Sequence, residues 1–356
     1  MSTLRNHESG KRNCRNAEYK IPMNRAAYSD RTAFLMAKLS ALAYEKYESE
    51  VSIEAYMPKI VEAIKSDKSD NKVKSLLEEF KTTGQSEPTN LRSKLSALGF
   101  DLIKSISIKD TQCFIACHGK LNEPGSYVVL SFRGTESFKD AITDAKAMLE
   151  KLPDGGRVHT GFLKGYRLVE KEILSSLVPY KDMPLYITGH SLGGGLSILA
   201  TRFLSDDNLA ATYTFGCPRV ADQKFLDYIY TPVYRIVNSS DIVTRVPFGY
   251  GLTLVISLIK LMPLDITNIV AERLRGWFCG YTHKGNFIYI NSPSNLNKVI
   301  VKASPNHFRV VCNFLKNLVL DWKSLCNDHR MEEYIKKLNI YAENRLKHRE
   351  SNRALK

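Results

Sequence analysis

The sequence predicts an α/β fold with a mainly parallel central sheet and helices on both faces. Three observations support this. From about residue 98 onward, strand-like runs alternate with helical patterns, as expected of a parallel sheet with crossover helices. The run 127–132 is nearly all apolar, which is typical of a strand covered on both faces, and 211–215 and 233–237 are two further strands of the buried type. One further run, 185–188, leads directly into a glycine-rich turn and then into a helical pattern.

The N-terminal third is predicted to be helical. Residues 1–29 are rich in Arg, Lys and Asn without a period, and we interpret them as a basic, disordered leader. Ser29 and Asp30 offer an N-cap for an amphipathic helix over 32–44. Residues 52–64 and 71–80 have two further helical patterns.

Strands and helices follow in order along the rest of the chain. Strands are predicted at 100–108, 112–118, 127–132, 185–188, 211–215, 233–237 and, as the last strand, 286–290. Helices are predicted over 138–149, from 159 to about 180, after the turn at 191, near 221–230 and from about 307. We therefore divide the chain into a leader (1–29), one α/β domain (30–325) and a charged helical tail (326–356), whose residues mostly suit a solvated face.

The composition favours a globular protein with an affinity for anionic partners. The hydrophobic fraction is 44% and the formal net charge is +14. A lysine-rich face on an ordinary enzyme explains the charge equally well. Because no nucleic-acid motif is present, we expect no nucleic acid as partner. The N-terminus lacks an apolar signal-peptide core, and no apolar run reaches the length of a bilayer span, so we expect a cytoplasmic or peripheral membrane protein. Export by a leaderless route remains open.

The seven cysteines do not indicate disulfides or a metal site. Their number is odd, and none of their spacings, with each other or with histidines, matches a zinc ligand set. We interpret them as mostly buried thiols and predict no metal or organic cofactor.

The pentapeptide Gly189-His190-Ser191-Leu192-Gly193 is the strongest functional signal. It has the pattern G-x-S-x-G, and it lies between a strand and a helical pattern. This is the context of a nucleophile elbow, in which a strained turn exposes a reactive serine and side chains at the two glycine positions would collide with backbone. The alternative is a glycine-rich turn with an incidental serine, but the flanking elements favour the elbow.

A serine nucleophile needs an acid and a base, and both have candidates. Asp241 follows the strand 233–237 at the carboxyl edge of the sheet, where it is either the acid or the cap of an Asx-turn. In folds built on such an elbow the base follows the last strand, so we prefer His307 to His283, which precedes it. His190 is assigned to packing, and His329 has no recognisable motif around it.

An oxyanion hole requires preorganised hydrogen-bond donors. We predict one in the backbone N–H of Leu192, directly after the nucleophile, and another in Thr135, after the strand 127–132. An ordinary β-turn is the alternative for the segment around Thr135.

Several segments with defined order carry a family resemblance. They are SFRGT at 131–135, Asp144, VHTGF at 158–162, GHSLGG at 189–194 and NSSDIV at 238–243. In order and spacing they resemble the class 3 (fungal-type) lipases over about residues 30–315. GYTH at 280–283 also resembles a family segment, one whose histidine is not the base.

The resemblance implies an α/β-hydrolase fold and the hydrolysis of carboxylic esters of glycerolipids. It implies a triad of Ser191, Asp241 and His307, with Thr135 and Leu192 in the oxyanion hole. Two rivals remain: a soluble esterase for short or non-lipid esters, and an inactive hydrolase domain that serves as a lipid-binding module.

Two segments depart from the family pattern. The family's lid follows the oxyanion strand, but here residues 136–154 are charged and unlike a lid. An extra apolar segment, 252–264, precedes the basic residues Arg273 and Arg275. It is a cap over the active site, an element that docks 252–278 on anionic lipid, or a buried core helix.

Overall fold

The structure is a computed structural model that describes residues 27–45, 61, 74, 89–121, 123–134, 149–206, 208–246, 280–292, 299–306, 310, 313, 317 and 327–354. The helices in this part of the chain are α1 (Asp30–Leu42), α2 (Thr89–Ala97), α3 (Thr160–Leu177), α4 (Leu192–Phe203), α5 (Gln223–Asp227) and α6 (Met331–Ala354). None of them has the length and apolar content that crossing a membrane requires.

Eight strands form the central sheet. In spatial order they are β1 (Phe100–Ile108), β2 (Thr111–His118), β3 (Tyr127–Phe132), β6 (Leu185–His190), β7 (Leu209–Phe215), β8 (Val233–Asn238), β9 (Asn286–Asn291) and β10 (Ile300–Ala303). The pairings from β3 through β9 are parallel, whereas β1, β2 and β10 join the two edges antiparallel. β4 (Leu149–Lys151) and β5 (Arg157–His159) form a separate hairpin. The predicted mainly parallel sheet is confirmed.

Both faces of the sheet are covered, which explains the apolar runs. In β3, Val128, Leu130 and Phe132 belong to the core on one face, whereas Tyr127 and Val129 belong to the core on the other. The first core is completed by side chains of α3, α4 and α5, and the second by side chains of α1, α2 and α6. Because successive side chains of a strand point to opposite faces, a strand between two helical layers must be apolar throughout.

Helix α1 docks on the central strands partly through buried polar contacts. The hydroxyls of Ser40 and Thr188 are 2.8 Å apart, and the hydroxyl of Ser131 donates to the carbonyl of Leu39 at 3.1 Å. These bonds satisfy hydroxyl groups that would otherwise be costly to bury. They place the C-terminal end of α1 beside the carboxyl ends of β3 and β6.

Helix α6 is packed into the domain. The sequence predicts a helix here, and that helix is present, but Met331, Tyr334 and Leu338 on one side of it are buried. These positions recur at intervals of three and four residues, the spacing of one helical face. Only one side of α6 is therefore solvated as expected. The other side packs against the central sheet and α1.

Most of the predicted strands agree with the observed ones to within two residues at each end. Three elements are present that the sequence pattern does not predict, namely β10, the β4–β5 hairpin and α2, so the predicted last strand, 286–290, is followed by one more. The three cysteines in the described part of the chain (Cys113, Cys117 and Cys217) are free and buried, as predicted. The predictions for the leader up to residue 26, nearly all of 52–80, the segment 252–278 and the helix 138–149 up to residue 148 lie outside the described residues and remain predictions. Leu149, predicted as the end of that helix, is instead the first residue of β4.

Candidate active site

The elbow predicted at Ser191 is present. Strand β6 ends at His190, α4 begins at Leu192, and Ser191 between them has φ 56° and ψ −126°. A positive φ is unfavourable for a residue with a side chain, and such strained positions occur mainly where the surrounding structure imposes them. Here the strand and the helix hold the serine at the carboxyl edge of the sheet.

The two glycines of the pentapeptide make close contacts with backbone. A Cβ atom on Gly189 would collide with the carbonyl group of Gly193, and a Cβ atom on Gly193 would collide with the carbonyl oxygen of Phe132. The predicted reason for glycine at both positions is therefore confirmed. These contacts also bring the end of β3 against the start of α4.

The imidazole of His329 connects Ser191 to Asp241. Its Nε2 lies 2.9 Å from the Oγ of Ser191, and its Nδ1 lies 3.0 Å from each carboxylate oxygen of Asp241. A carboxylate accepts hydrogen bonds, so Nδ1 carries the proton and Nε2 has the free lone pair that faces the serine hydroxyl. All three residues are buried. This arrangement can take the proton from Ser191 and give it to a leaving group.

The carboxylate of Asp241 is held by two further donors. Its Oδ1 accepts from the backbone N–H of Val243 at 2.9 Å, and its Oδ2 accepts from the hydroxyl of Tyr334 at 2.6 Å. Burial, together with the adjacent carboxylate, raises the pKa of Tyr334 well above its ordinary value, so the tyrosine remains a neutral donor. Asp241 therefore has a defined orientation toward His329.

A buried ion pair connects the loop of the acid with the segment of the base. The Nζ of Lys337 lies 3.2 Å from Asp328 Oδ1 and 2.7 Å from Asn238 Oδ1, and the other Asp328 oxygen accepts from the N–H of Ser240 at 3.0 Å. Asp328 directly precedes His329, and Asn238 and Ser240 lie close to Asp241. These contacts fix the loop that carries Asp241 relative to the segment that carries His329.

His307, the predicted base, is corrected to His329. His307 lies outside the described residues, and both contacts required of the base are made by His329. An imidazole has two nitrogen atoms, and here one faces the acid and the other the serine, as the base of a triad requires. The misleading signal was the position of His307 soon after a strand. The useful signal was Asp328-His329 directly before a helix with a buried face.

The other histidines in this region have different partners. His283, predicted to be structural, has its Nε2 at 2.7 Å from the carbonyl oxygen of Thr244. His190, predicted only to pack, also makes two hydrogen bonds: its Nδ1 is 2.8 Å from the hydroxyl of Tyr44, and its Nε2 is 2.7 Å from the carbonyl oxygen of His329. Neither histidine approaches Ser191 through a hydrogen bond among the described contacts.

Of the two predicted oxyanion donors, the structure describes only Leu192. It is the first residue of α4, and N–H groups in the first turn of a helix have no acceptor within that helix. The positive end of the helix dipole also lies there. Thr135 lies outside the described residues, but Gly134 just before it contacts the elbow, since a Cβ atom there would lie 3.2 Å from Ser191 Cβ.

A cavity of about 480 Å³ lies beside the elbow. Its apolar wall comes from Leu192 and Leu196 of α4 and from Phe162 and Leu168 of α3. Polar residues at the cavity are Asp110, Thr111, His159 and Lys164. Apolar pockets with a few polar groups are typical of sites for small organic ligands.

Gly216 is predicted to be essential for the geometry of the site. It has φ +59°, and a Cβ atom would lie 2.8 Å from Asp241 Oδ2 and 3.0 Å from the ring of His329. We expect Gly216→Ala to lower kcat by about 100-fold, because a displacement of roughly 1 Å at reacting groups has effects of that size. Steady-state kinetics and thermal unfolding measure this.

Gly99→Ala is the matched control for Gly216→Ala. Gly99 also has a positive φ, +79°, but its Cβ atom would meet only His118, at 3.5 Å, an ordinary contact. This variant should lose stability and keep its kcat. An equal loss of kcat in both variants would show that backbone strain, and not contact with Asp241 and His329, is responsible.

Comparison with known proteins shows a similarity to one family over part of the chain. Residues 129–251 match the sequence model of Lipase (class 3). A lipase of Rhizomucor miehei is 36% identical over 165 residues, which is 41% of this chain and 44% of the relative. A chloroplastic phospholipase A(1) of Arabidopsis thaliana is 35% identical over 149 residues, 34% of this chain and 33% of the relative.

Among solved structures, lipase II from Rhizopus niveus has a similar fold. The TM-score is 0.51 at 19% sequence identity, and the match covers 84% of this chain and 93% of that one. The shared architecture is the α/β-hydrolase fold. In sequence, this chain matches less than half the length of the two curated relatives.

Proposed function

Because residues 129–251 match the sequence model of Lipase (class 3), we propose that the chain is a serine hydrolase that cleaves carboxylic esters of lipids. The observation that carries the proposal is the bridge of His329 between Ser191 Oγ and the Asp241 carboxylate, at 2.9 and 3.0 Å, on a strained elbow. A serine, an imidazole and a carboxylate in this order constitute the apparatus of acyl transfer.

In the proposed reaction, Ser191 Oγ attacks the ester carbonyl carbon while His329 Nε2 takes its proton. Asp241 stabilises the resulting imidazolium through the Nδ1–H bond. The tetrahedral intermediate collapses, His329 donates the proton to the leaving alkoxide, and an acyl-enzyme remains. Water then attacks the acyl carbon with His329 again as base, which releases the acid and restores the serine.

The negative charge on the carbonyl oxygen needs donors during both attacks. We propose the N–H of Leu192 and Thr135, through its N–H or hydroxyl, for this role. The first position of α4 and the contact between Gly134 and the elbow support the assignment. Such donors are each worth roughly 10²–10³ in kcat.

The substrate class follows from the cavity and the family together. Leu192 is a proposed oxyanion donor and is also one of the residues that line the cavity of about 480 Å³, so we propose this apolar space for the acyl chain. This favours esters with an acyl chain over small polar esters. Triacylglycerol and the acyl esters of phospholipids both fit this description, and a short-chain esterase is the rival function.

Contact with an anionic membrane through 252–278, and a cytoplasmic or peripheral membrane location, remain predictions. The net charge of +14 is compatible with an anionic surface. No described contact bears on either point.

A panel of triacylglycerol, phospholipid and p-nitrophenyl esters tests the proposal, together with labelling by a fluorophosphonate probe. We expect the full chain to be labelled at Ser191 and to hydrolyse long-chain lipid esters. Ser191→Ala is the control and should be neither labelled nor active. Labelling with turnover of short-chain esters alone would identify the rival esterase, and the absence of labelling would contradict a serine hydrolase.

A further inference from the structure

His190, which precedes Ser191, and Tyr44, which lies just beyond the end of α1, are linked to His329 by hydrogen bonds. His190 Nε2 lies 2.7 Å from the carbonyl oxygen of His329, and His190 Nδ1 lies 2.8 Å from the hydroxyl of Tyr44. Tyr44 is two residues beyond the end of α1, outside the stretch 129–251 that matches the family. A chain of two hydrogen bonds therefore runs from the N-terminal helix to the backbone of His329.

The direction of each bond follows from the chemistry of its partners. A carbonyl oxygen only accepts, so His190 must carry a proton on Nε2. Burial, and then the neighbouring His329, lowers the pKa of His190 to about 3, so its imidazole is neutral and Nδ1 has no proton. Nδ1 is thus an acceptor, and the hydroxyl of Tyr44 is its donor.

We propose that Tyr44 and His190 are positioning residues, which fix the backbone of His329 and thereby hold its ring between Ser191 and Asp241. This inference rests on the proposed function. The carbonyl oxygen of His329 fixes the Nε2–H tautomer of His190, and the hydroxyl of Tyr44 stabilises that tautomer by donating to the free lone pair of Nδ1. With the other tautomer, an Nε2 lone pair would face the carbonyl lone pairs and repel them.

The neutral state of His190 also serves the base directly. The rings of His190 and His329 are 4.7 Å apart and inclined by 30°. A second positive charge at this distance would disfavour the imidazolium that His329 must become when it takes the serine proton. Because the pKa of His190 is lowered by burial, His190 adds no positive charge beside the imidazolium of His329 near neutral pH.

The N-terminal helix is anchored firmly enough to define this geometry. Ser40 and Leu39 make buried hydrogen bonds to Thr188 and Ser131 of the central strands. Tyr44 itself lies against the elbow, since a Cβ atom on Gly134 would collide with both its hydroxyl and the carbonyl oxygen of His190. Helix α1 is therefore part of the support of the site.

The test is a cycle of two variants, Tyr44→Phe and His190→Gln. A glutamine amide can still donate to the carbonyl of His329, but it has no ring nitrogen for Tyr44. We expect Tyr44→Phe to lower kcat and the rate of fluorophosphonate labelling about three- to tenfold with KM unchanged, the size of one lost buried hydrogen bond. In the His190→Gln background, Tyr44→Phe should have no further effect.

Tyr166→Phe is the matched control. The hydroxyl of Tyr166 is also buried, and it has no hydrogen-bond partner among the described residues. Its removal should leave kcat and the labelling rate as in the wild type. If the losses caused by Tyr44→Phe and His190→Gln were simply multiplicative, the two residues would act independently and the proposed chain would be wrong.

Nuclear magnetic resonance of the protein with ¹⁵N-labelled histidine gives a readout that does not depend on activity. His190 should carry its proton on Nε2 from about pH 5 to 8, and Tyr44→Phe should shift the ¹⁵N resonance of Nδ1, because that nitrogen loses its hydrogen-bond donor while Nε2 keeps its acceptor. A proton on Nδ1 in the wild type would overturn the inference. The expected tautomer in a protein that neither turns over esters nor reacts with the probe would instead contradict the proposed function.

Discussion

His329→Ala is expected to lower kcat by about 10⁴- to 10⁶-fold, the range found when a base or nucleophile is removed from a catalytic triad. Without the imidazole, Ser191 has no acceptor for its proton, and the leaving group has no donor. The double variant His329→Ala/Ser191→Ala should be little worse than either single one, because the two residues act in the same step. Steady-state kinetics on the ester accepted by the wild type measures this.

His307→Ala is the decisive comparison for His329→Ala. Since the described imidazole that contacts both Ser191 and Asp241 is that of His329, His307→Ala should retain kcat within a few fold of the wild type. Circular dichroism and thermal unfolding should show that both variants are folded. A severe loss in His307→Ala together with an active His329→Ala would restore His307 as the base.

Asp241→Asn is expected to lower kcat by about 10⁴-fold. An amide that donates toward Nδ1 would favour the wrong tautomer of His329, in which Nε2 carries the proton and cannot accept one from Ser191. The residue has the same size, so the loss should appear in kcat with the fold retained. Wild-type turnover by this variant would show that Asp241 is a structural cap of its loop.

Tyr334→Phe tests whether the Tyr334 hydroxyl or the His329 imidazole is the more important partner of the Asp241 carboxylate for catalysis. The variant keeps the buried ring and removes only the hydroxyl that donates at 2.6 Å to Oδ2. Hydrogen bonds to charged groups contribute about 1.5–3 kcal/mol, so its loss of kcat should be far smaller than that of Asp241→Asn. A loss as large as that of Asp241→Asn would mean that Tyr334, and not His329, determines the state of the carboxylate.

Local sequence patterns predicted the sheet and the elbow that carries Ser191. The alternation of buried strands with helices, and the strand–turn–helix context of Ser191, depend on residues near one another in the chain. Asp241 could be predicted for the same reason, because it follows a recognisable strand by three residues. In each case the periodicity of side chains, or a glycine demanded by a close backbone contact, is visible without knowledge of distant partners.

The tertiary structure alone decided which histidine completes the site. His329 is 138 residues from Ser191 and 88 from Asp241, and no local pattern records that distance. Its position depends on α6, whose side chains Tyr334 and Lys337 bond to Asp241, Asp328 and Asn238. In sequence this helix is mostly charged, because only one of its faces is buried. The sequence does not show which elements the buried face of α6 contacts, because those contacts depend on how the helices pack on the sheet. The same packing brings Tyr44 to His190.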